Sequence, residues 1–265
     1  MNIQTIPLAD DNYQTSASLT TYFTDNQSQV QPALVFVPGG SYTHISLPEA
    51  EKTALYFAEH GFRCFILRYS FVNEKSPLLP SPLIEIAKSL KLIRHQATEW
   101  QVDPDKIVVM GFSVGGHLIS LYNNFWHAPW LAEAAGATSA EMQPNAVILG
   151  YPVIDSQLGF PNSAEVEASW TDDPSYYAAQ KHVHSTNAPT FLWATDDDPL
   201  VPSINSIEYS LALSKQHIPQ EFHLFHHGPH GLNLATEATA KDDAHVQPHV
   251  AHWTTLVLEW LAKTI

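Results

Sequence analysis

Short apolar runs alternate with longer segments of helical spacing along most of the chain. Ala33–Val37 is a continuous β-prone run that ends at Pro38-Gly39-Gly40. Pro48–His60 places Ala50, Leu55 and Ala58 at helical spacing and stops before Gly61, a natural residue just beyond a helix end. Phe62–Tyr69 predicts the next strand. Ser81 is expected to cap a helix with Pro82 at its first position, carried through Ile84, Ile86, Leu90 and Ile93 toward Trp100. Lys106–Met110 predicts a buried strand and Val114–Phe125 a helix. Asn145–Gly150 and Thr190–Thr195 read as strands, with a helix over Ser203–His217. Gln220–His226 alternates as a strand, and Gln247–Lys263 closes the chain as an amphipathic helix.

Strands and helices in this rhythm argue for βαβ units and a mostly parallel sheet covered on both faces. Residues 5–25 resemble a strand pair at one edge, which a mixed sheet tolerates; with that pair the strands number about eight. Asp155–Asn187 breaks the rhythm, with few aliphatic residues and turn signals at Gly159, Pro161 and Pro174, and is expected to pass over one face of the sheet. No repeat, low-complexity tract or linker divides residues 1–265, so one α/β domain is expected.

Composition narrows the class. Of 265 residues 45% are hydrophobic and only 15% charged, which excludes a disordered chain. A chain of this length buries roughly three quarters of its unfolded surface and needs no disulfide staples. The 27 acidic residues outnumber the 12 scattered Lys and Arg, a net charge of −15, which argues against a nucleic-acid partner. The single Cys64 lies in an apolar strand and reads as a small core residue, consistent with a reducing compartment. The N-terminal Met1–Pro7 has neither the basic nor the apolar region of a signal peptide, and no apolar run reaches membrane-span length, so a cytoplasmic protein with no membrane partner is expected. Fifteen histidines are unusual, and eight of them fall between His217 and His252. With a reference pKa of about 6.5, they can offset much of the acidic charge as pH falls.

The candidate chemistry begins at Gly111-Phe112-Ser113-Val114-Gly115. The G-x-S-x-G pattern alone is weak; from average composition, roughly one unrelated chain in ten of this length would contain it. Its setting is informative, because it follows a predicted strand directly and opens a predicted helix, as a nucleophile elbow requires. The turn is so tight that side chains two residues either side of the serine would collide with their neighbours. A serine needs a base, and the base an orienting acid. Thr190–Thr195 ends in Asp196-Asp197-Asp198, where a carboxylate just past a strand tip can reach an imidazole; chemistry alone does not choose among the three. Past the last strand, His230 stands in the Gly/Pro-rich loop Gly228-Pro229-His230-Gly231, where the base is expected, whereas His226 and His227 belong to the strand end. Two backbone N–H groups are needed to stabilise an oxyanion. Val114 supplies one, and Pro38-Gly39-Gly40-Ser41-Tyr42 after an early strand is placed to supply the other.

With these segments, and with Val102–Met110 and Gly150-Tyr151-Pro152-Val153-Ile154-Asp155, the chain resembles the α/β-hydrolase superfamily over nearly its whole length. Within it the chain is similar to small bacterial carboxylesterases and acetyl esterases of the hormone-sensitive-lipase and feruloyl-esterase-like groups, including those of lactic-acid bacteria. The resemblance implies an α/β-hydrolase fold and a serine carboxylesterase of short-chain esters, with Ser113 as nucleophile and His230 as base. The family's Asp-x-x-Val-Pro matches Asp198–Pro202, which implies Asp198 as the acid. By analogy Gly40, and with less weight Ser41, joins Val114 in the oxyanion hole. Two departures stand out: Val114 replaces the usual Ala, and Pro38-Gly39-Gly40-Ser41 replaces His-Gly-Gly-Gly. Both oxyanion groups are main chain, so the hole is expected to survive with an altered substrate shape. Strand-tip position places Tyr42, Tyr151, Leu200 and Val201 in the pocket wall, with parts of Ser76–Pro82 and Asp155–Asn187. No metal or cofactor is implied. A homo-oligomer, dimer or tetramer, is common among the relatives.

Rival readings remain open at this stage. A serine peptidase of the prolyl-oligopeptidase type shares the fold, but such enzymes usually carry a propeller domain for which 265 residues leave no room. A metal site built on His223, His226, His227 and His230 suffers from spacing, because adjacent strand residues face opposite sides. A non-catalytic homologue would typically lack one of the three residues that are present here.

Overall fold

A computed structural model describes residues 2–24 and 29–265. Residue 25 of the expected edge pair, and Met1 of the N-terminal segment, lie outside the described residues. The chain runs through β1 (Thr5–Pro7), β2 (Ser18–Tyr22), β3 (Gln31–Val37), α1 (Leu47–Glu59), β4 (Arg63–Arg68), α2 (Ser81–His95), α3 (Ala97–Trp100), β5 (Val102–Phe112) and α4 (Val114–Phe125). It continues through α5 (Pro129–Ala135), α6 (Ser139–Met142), β6 (Ala146–Gly150), α7 (Ala164–Trp170), β7 (Thr190–Thr195), α8 (Ile204–Lys215), β8 (Gln220–Phe225), α9 (Pro248–Ala251) and α10 (Trp253–Thr264). The eight strands form one sheet in the order β1-β2-β4-β3-β5-β6-β7-β8. β1 and β2 add antiparallel at one edge, and every other pairing is parallel. This is the α/β-hydrolase fold.

The strand period divides the core in two. Val35, Val37, Val109, Val147 and Leu149 face a core shared with Leu83 of α2, Leu118 of α4 and Tyr209 of α8. Leu34, Phe36, Val108, Met110 and Ile148 face the other way, against Phe57 of α1 and Trp253 and Val257 of α10. Strands buried on both faces give continuous apolar runs, which is why β3, β6 and β7 were legible without alternation. Cys64 is fully buried in the second core, and burial pushes its thiol up, away from the reactive thiolate.

Several expectations change in detail. Ser81 does not cap α2: the Pro80 carbonyl already accepts from the Leu83 and Ile84 N–H groups, so the helix starts one residue earlier. The Ser81 hydroxyl is left buried without a hydrogen-bond partner. The helix does not reach Trp100; it stops at Gln96, and α3 follows as a separate turn that ends on left-handed Gln101. The closing helix starts as expected after Gln247 but breaks at His252 into α9 and α10. β8 does not alternate cleanly, because as the edge strand it is half-buried along most of its length. The short helices α5 and α6 had no predicted counterpart, although Thr138 and Glu141 form a complete capping box at the start of α6. Among the described residues no helix is long and apolar enough to cross a membrane.

Parallel register brings the carboxyl ends of the central strands together: Val37 stands beside Gly111, Phe112 beside Gly150, and Thr195 beside Phe225. Each strand tip that carries candidate chemistry therefore opens on the same rim of the sheet.

Candidate active site

Ser113 occupies the single residue between β5 and α4, with φ 56° and ψ −124°. A non-glycine residue in such a conformation costs on the order of 1–3 kcal/mol and persists only where its surroundings hold it. Here the Ser113 N–H donates to the Gly150 carbonyl at 3.1 Å, and its own carbonyl accepts from Val153 at 3.1 Å and from His117 at 3.1 Å. The flanking glycines are sterically required. A Cβ on Gly111 would lie 2.2 Å from the Gly115 carbonyl oxygen, and one on Gly115 would lie 2.0 Å from that of Val37.

The structure brings Ser113, His230 and Asp198 into one line. His230 Nε2 is 2.8 Å from Ser113 Oγ, and His230 Nδ1 is 2.6 Å from Asp198 Oδ2. A carboxylate only accepts, so Nδ1 carries the proton and Nε2 is free to accept from the serine hydroxyl. The second oxygen of Asp198 accepts from the N–H groups of Leu200 at 2.8 Å and Val201 at 3.0 Å, which locks the carboxylate in the turn after β7. The Asp198 side chain is 1% exposed and that of His230 13%, so the pair is shielded while the serine side of the imidazole opens on a cavity. Tyr151 packs edge-on against the His230 ring at 4.9 Å, and its hydroxyl accepts from the Asn233 N–H at 3.2 Å.

The neighbouring aspartates go elsewhere. Asp196 accepts from the Ser203 hydroxyl at 3.2 Å. Asp197 takes His227 Nδ1 at 2.5 Å and the Gly228 N–H at 2.9 Å. Of the remaining histidines in the rival metal reading, His223 pairs with Glu221 and His226 is exposed at the end of β8. His223, His227 and His230 therefore each have a separate carboxylate partner, and among the described residues no three potential ligands gather into a metal site.

After β3 the backbone of Gly40, Ser41 and Tyr42 has φ of 136°, 52° and 61°. Gly39 lies so close to the elbow that a Cβ on it would stand 2.9 Å from Ser113 Cβ. Among the described residues, the N–H groups of Gly40, Ser41 and Val114 have no hydrogen-bond acceptor. Gly40 and Ser41 line the cavity beside Ser113, so these donors can be aimed at an oxygen bound there.

The cavity holds about 200 Å³ and is lined by Gly39, Gly40, Ser41, Phe112, Ser113, Tyr151, Leu200 and His230 on the reacting side. Its lining also includes the polar side chains of His44, Ser46, Glu49, Asn233 and Lys241. The Ser46 hydroxyl donates to Glu49, holding that carboxyl below its usual range. Sequence reasoning missed these residues. Glu49 was legible only as part of the Pro48–His60 helix, Ser46 carried no signal, and Lys241 arrives from a loop with no periodic signal. Two expected wall residues are absent. Tyr42 is fully buried beneath the loop, because its left-handed backbone turns the side chain inward. Val201 is 3% exposed, and its N–H serves Asp198 instead. Neither 76–82 nor 155–187 reaches the cavity; Trp170, at the end of α7, packs on Tyr42 instead. Leu200, 45% exposed, lines the cavity.

Comparison with known proteins follows the same lines. Residues 19–213 match the BD-FAE family. The carboxylesterase Cest-2923 from Lactobacillus plantarum superposes with a TM-score of 0.90 at 30% identity, covering 99% of this chain and 98% of that one. A second Lactobacillus plantarum protein is 43% identical, with a TM-score of 0.81 and coverage of 100% and 99%. An acetylxylan esterase from Xylanibacter ruminicola is 26% identical over 248 residues, 88% of this chain and 46% of that protein. The chain spans less than half the length of two curated relatives it matches, a xylanase from Butyrivibrio fibrisolvens and the acetylxylan esterase.

Proposed function

The chain belongs to the BD-FAE family of α/β-hydrolases, and we propose that it is a carboxylic ester hydrolase that cleaves small, short-chain esters through Ser113, His230 and Asp198. The observation that carries the reading is the unbroken hydrogen-bonded line from Asp198 through His230 to Ser113, ending at a cavity beside unengaged N–H groups.

Ser113 Oγ attacks the ester carbonyl carbon while its proton passes to His230 Nε2. Asp198 holds the Nδ1–H tautomer and stabilises the imidazolium that forms. The N–H groups of Val114 and Gly40, with Ser41 beside them, receive the oxyanion. Collapse of the tetrahedral intermediate breaks the ester C–O bond, and the alcohol leaves with the proton from Nε2. Water then enters, gives a proton to Nε2 as its oxygen attacks the acyl carbon, and returns Ser113 with release of the acid.

A cavity of about 200 Å³ bounded by Phe112 and Tyr151 supports a small acyl group. The polar residues in its lining support a hydroxylated alcohol, and the acetylxylan esterase among the relatives makes acetylated sugars the first natural esters to try. Two measurements test this. A fluorophosphonate should label Ser113, and Ser113→Ala should abolish hydrolysis of p-nitrophenyl acetate; normal turnover by that variant defeats the reading. A profile from acetate to octanoate should fall with chain length.

A further inference from the structure

Tyr42 was expected to touch substrate, yet it is fully buried one residue beyond the oxyanion loop. Its hydroxyl is 2.8 Å from His117 Nδ1, and His117 Nε2 is 2.8 Å from the Tyr177 carbonyl oxygen. A carbonyl only accepts, so Nε2 carries the proton and the Tyr42 hydroxyl donates to a bare Nδ1. Burial pushes the His117 pKa down to about 4, which keeps this neutral tautomer at ordinary pH. The Tyr42 ring is held edge-on by Trp170 at 4.8 Å and Tyr69 at 6.1 Å, and the Tyr42 carbonyl accepts from the Val72 N–H at 3.0 Å.

The placement of the two partners gives this bond its consequence. Tyr42 directly follows Gly40 and Ser41, and it shares their left-handed backbone, which a bulky side chain adopts only under constraint. His117 lies on the first turn of α4 and donates its own N–H to the Ser113 carbonyl. One hydrogen bond therefore joins the two backbone segments whose free N–H groups flank the nucleophile.

We propose that Tyr42 is a positioning residue: through its hydroxyl bond to His117 it fixes the Gly40 and Ser41 donors relative to the Val114 donor, and so sets the geometry of the oxyanion hole. This rests on the esterase reading above. Such a contact acts on the transition state, where the oxyanion forms, and hardly at all on ground-state binding.

The test uses the whole chain with p-nitrophenyl acetate. Tyr42→Phe keeps the ring and its packing but removes the donor. It should lower kcat by about 10- to 100-fold with KM within about threefold, less than the loss of a whole oxyanion donor. The affinity of a trifluoromethyl ketone analogue should weaken in step with kcat/KM. His117→Phe, which removes the acceptor, should show the same split, and the double variant should be no slower than the slower single one. Wild-type kcat in Tyr42→Phe, or losses that multiply in the double variant, overturns the proposal. If Ser113→Ala abolishes hydrolysis while Tyr42→Phe is unimpaired, only the positioning role falls. If Ser113→Ala remains active, the esterase reading falls and takes this one with it.

Discussion

Asp197 and Asp198 are neighbours at the tip of β7, and each holds a histidine from the loop after β8. The two pairs have similar lengths, 2.5 and 2.6 Å, and bridge the same two loops. Their surroundings differ. The Asp198 and His230 side chains are 1% and 13% exposed, whereas those of Asp197 and His227 are 49% and 66% exposed. An exposed ion pair is screened and contributes little, while a buried, fully hydrogen-bonded one fixes a tautomer and a direction. Only the buried pair points its second nitrogen at Ser113. Under the proposed mechanism, equal distances therefore conceal two different jobs, chemistry in one case and loop fastening in the other.

The strongest way to break that contrast is to exchange the partners' chemistry. Asp198→Asn should preserve the fold but stabilise the wrong imidazole tautomer, lowering kcat by about 10⁴-fold. Asp197→Asn should change kcat by less than about fivefold, because an amide oxygen can still accept the Gly228 N–H. Steady-state kinetics of the two variants decide the matter. A larger loss in Asp197→Asn would mean that the roles are reversed.

This contrast also marks what was legible from the residues alone. The strand-tip positions of Ser113, the aspartate run and His230 followed from the chain order of strands and helices, since buried parallel strands announce themselves as apolar runs. Choosing Asp198 required the family resemblance, whose Asp-x-x-Val-Pro pattern it matches, because three adjacent carboxylates have identical chemistry and only the turn decides which one faces inward. Tyr42 was misplaced for a related reason. Sequence places it in the loop, but the direction of its side chain depends on consecutive left-handed residues that no hydrophobic period encodes. The polar lining of the cavity was equally hidden, because Glu49 and Lys241 reach one cavity across a long sequence separation with no shared motif. The helices α5 and α6 are too short to show a period.

His117 sharpens the comparison as a buried histidine with no carboxylate partner. Its folded-state pKa is about 4 against 6.5 for the free side chain, with burial as the main cause. Below pH 6.5 the unfolded chain binds this proton first, so the stability is complete above about 6.5 and is lost as pH falls toward about 4. The shift corresponds to about 3 kcal/mol over that interval. Chemical denaturation at pH 4 and pH 7 should show a stability difference smaller by about this amount in His117→Phe than in the wild type. An identical acid slope in both proteins would show that His117 is solvated or charged in the fold.

Next in size is the fastening of the His230 loop. Gly228 is held at both ends of its peptide unit: its N–H donates to Asp197 at 2.9 Å, and its carbonyl accepts from the buried Thr195 hydroxyl at 2.8 Å. Asp197→Ala removes the first hold and leaves the second. It should lower kcat by less than about tenfold, and its effect should combine more than additively with Thr195→Val, since either hold alone keeps the loop in register. Simple additivity in kcat would show that the two bonds do not act on the same loop.

The smallest effect is expected at His227 itself. The Gly228 N–H is the leading cause that holds the Asp197 carboxyl below its usual range, ahead of His227, so the carboxylate keeps its role in the loop when the imidazole is gone. The ring is largely solvated, and a pair so exposed is screened at ordinary ionic strength. His227→Ala should therefore leave kcat/KM within about twofold of the wild type, both in dilute buffer and in about 1 M salt, where the Debye length is near 3 Å. A larger fall confined to dilute buffer would give the exposed pair an electrostatic part in catalysis. A fall that persisted in salt would place the His227 ring in contact with the reacting loop, and the division between a working pair and a fastening pair would not hold.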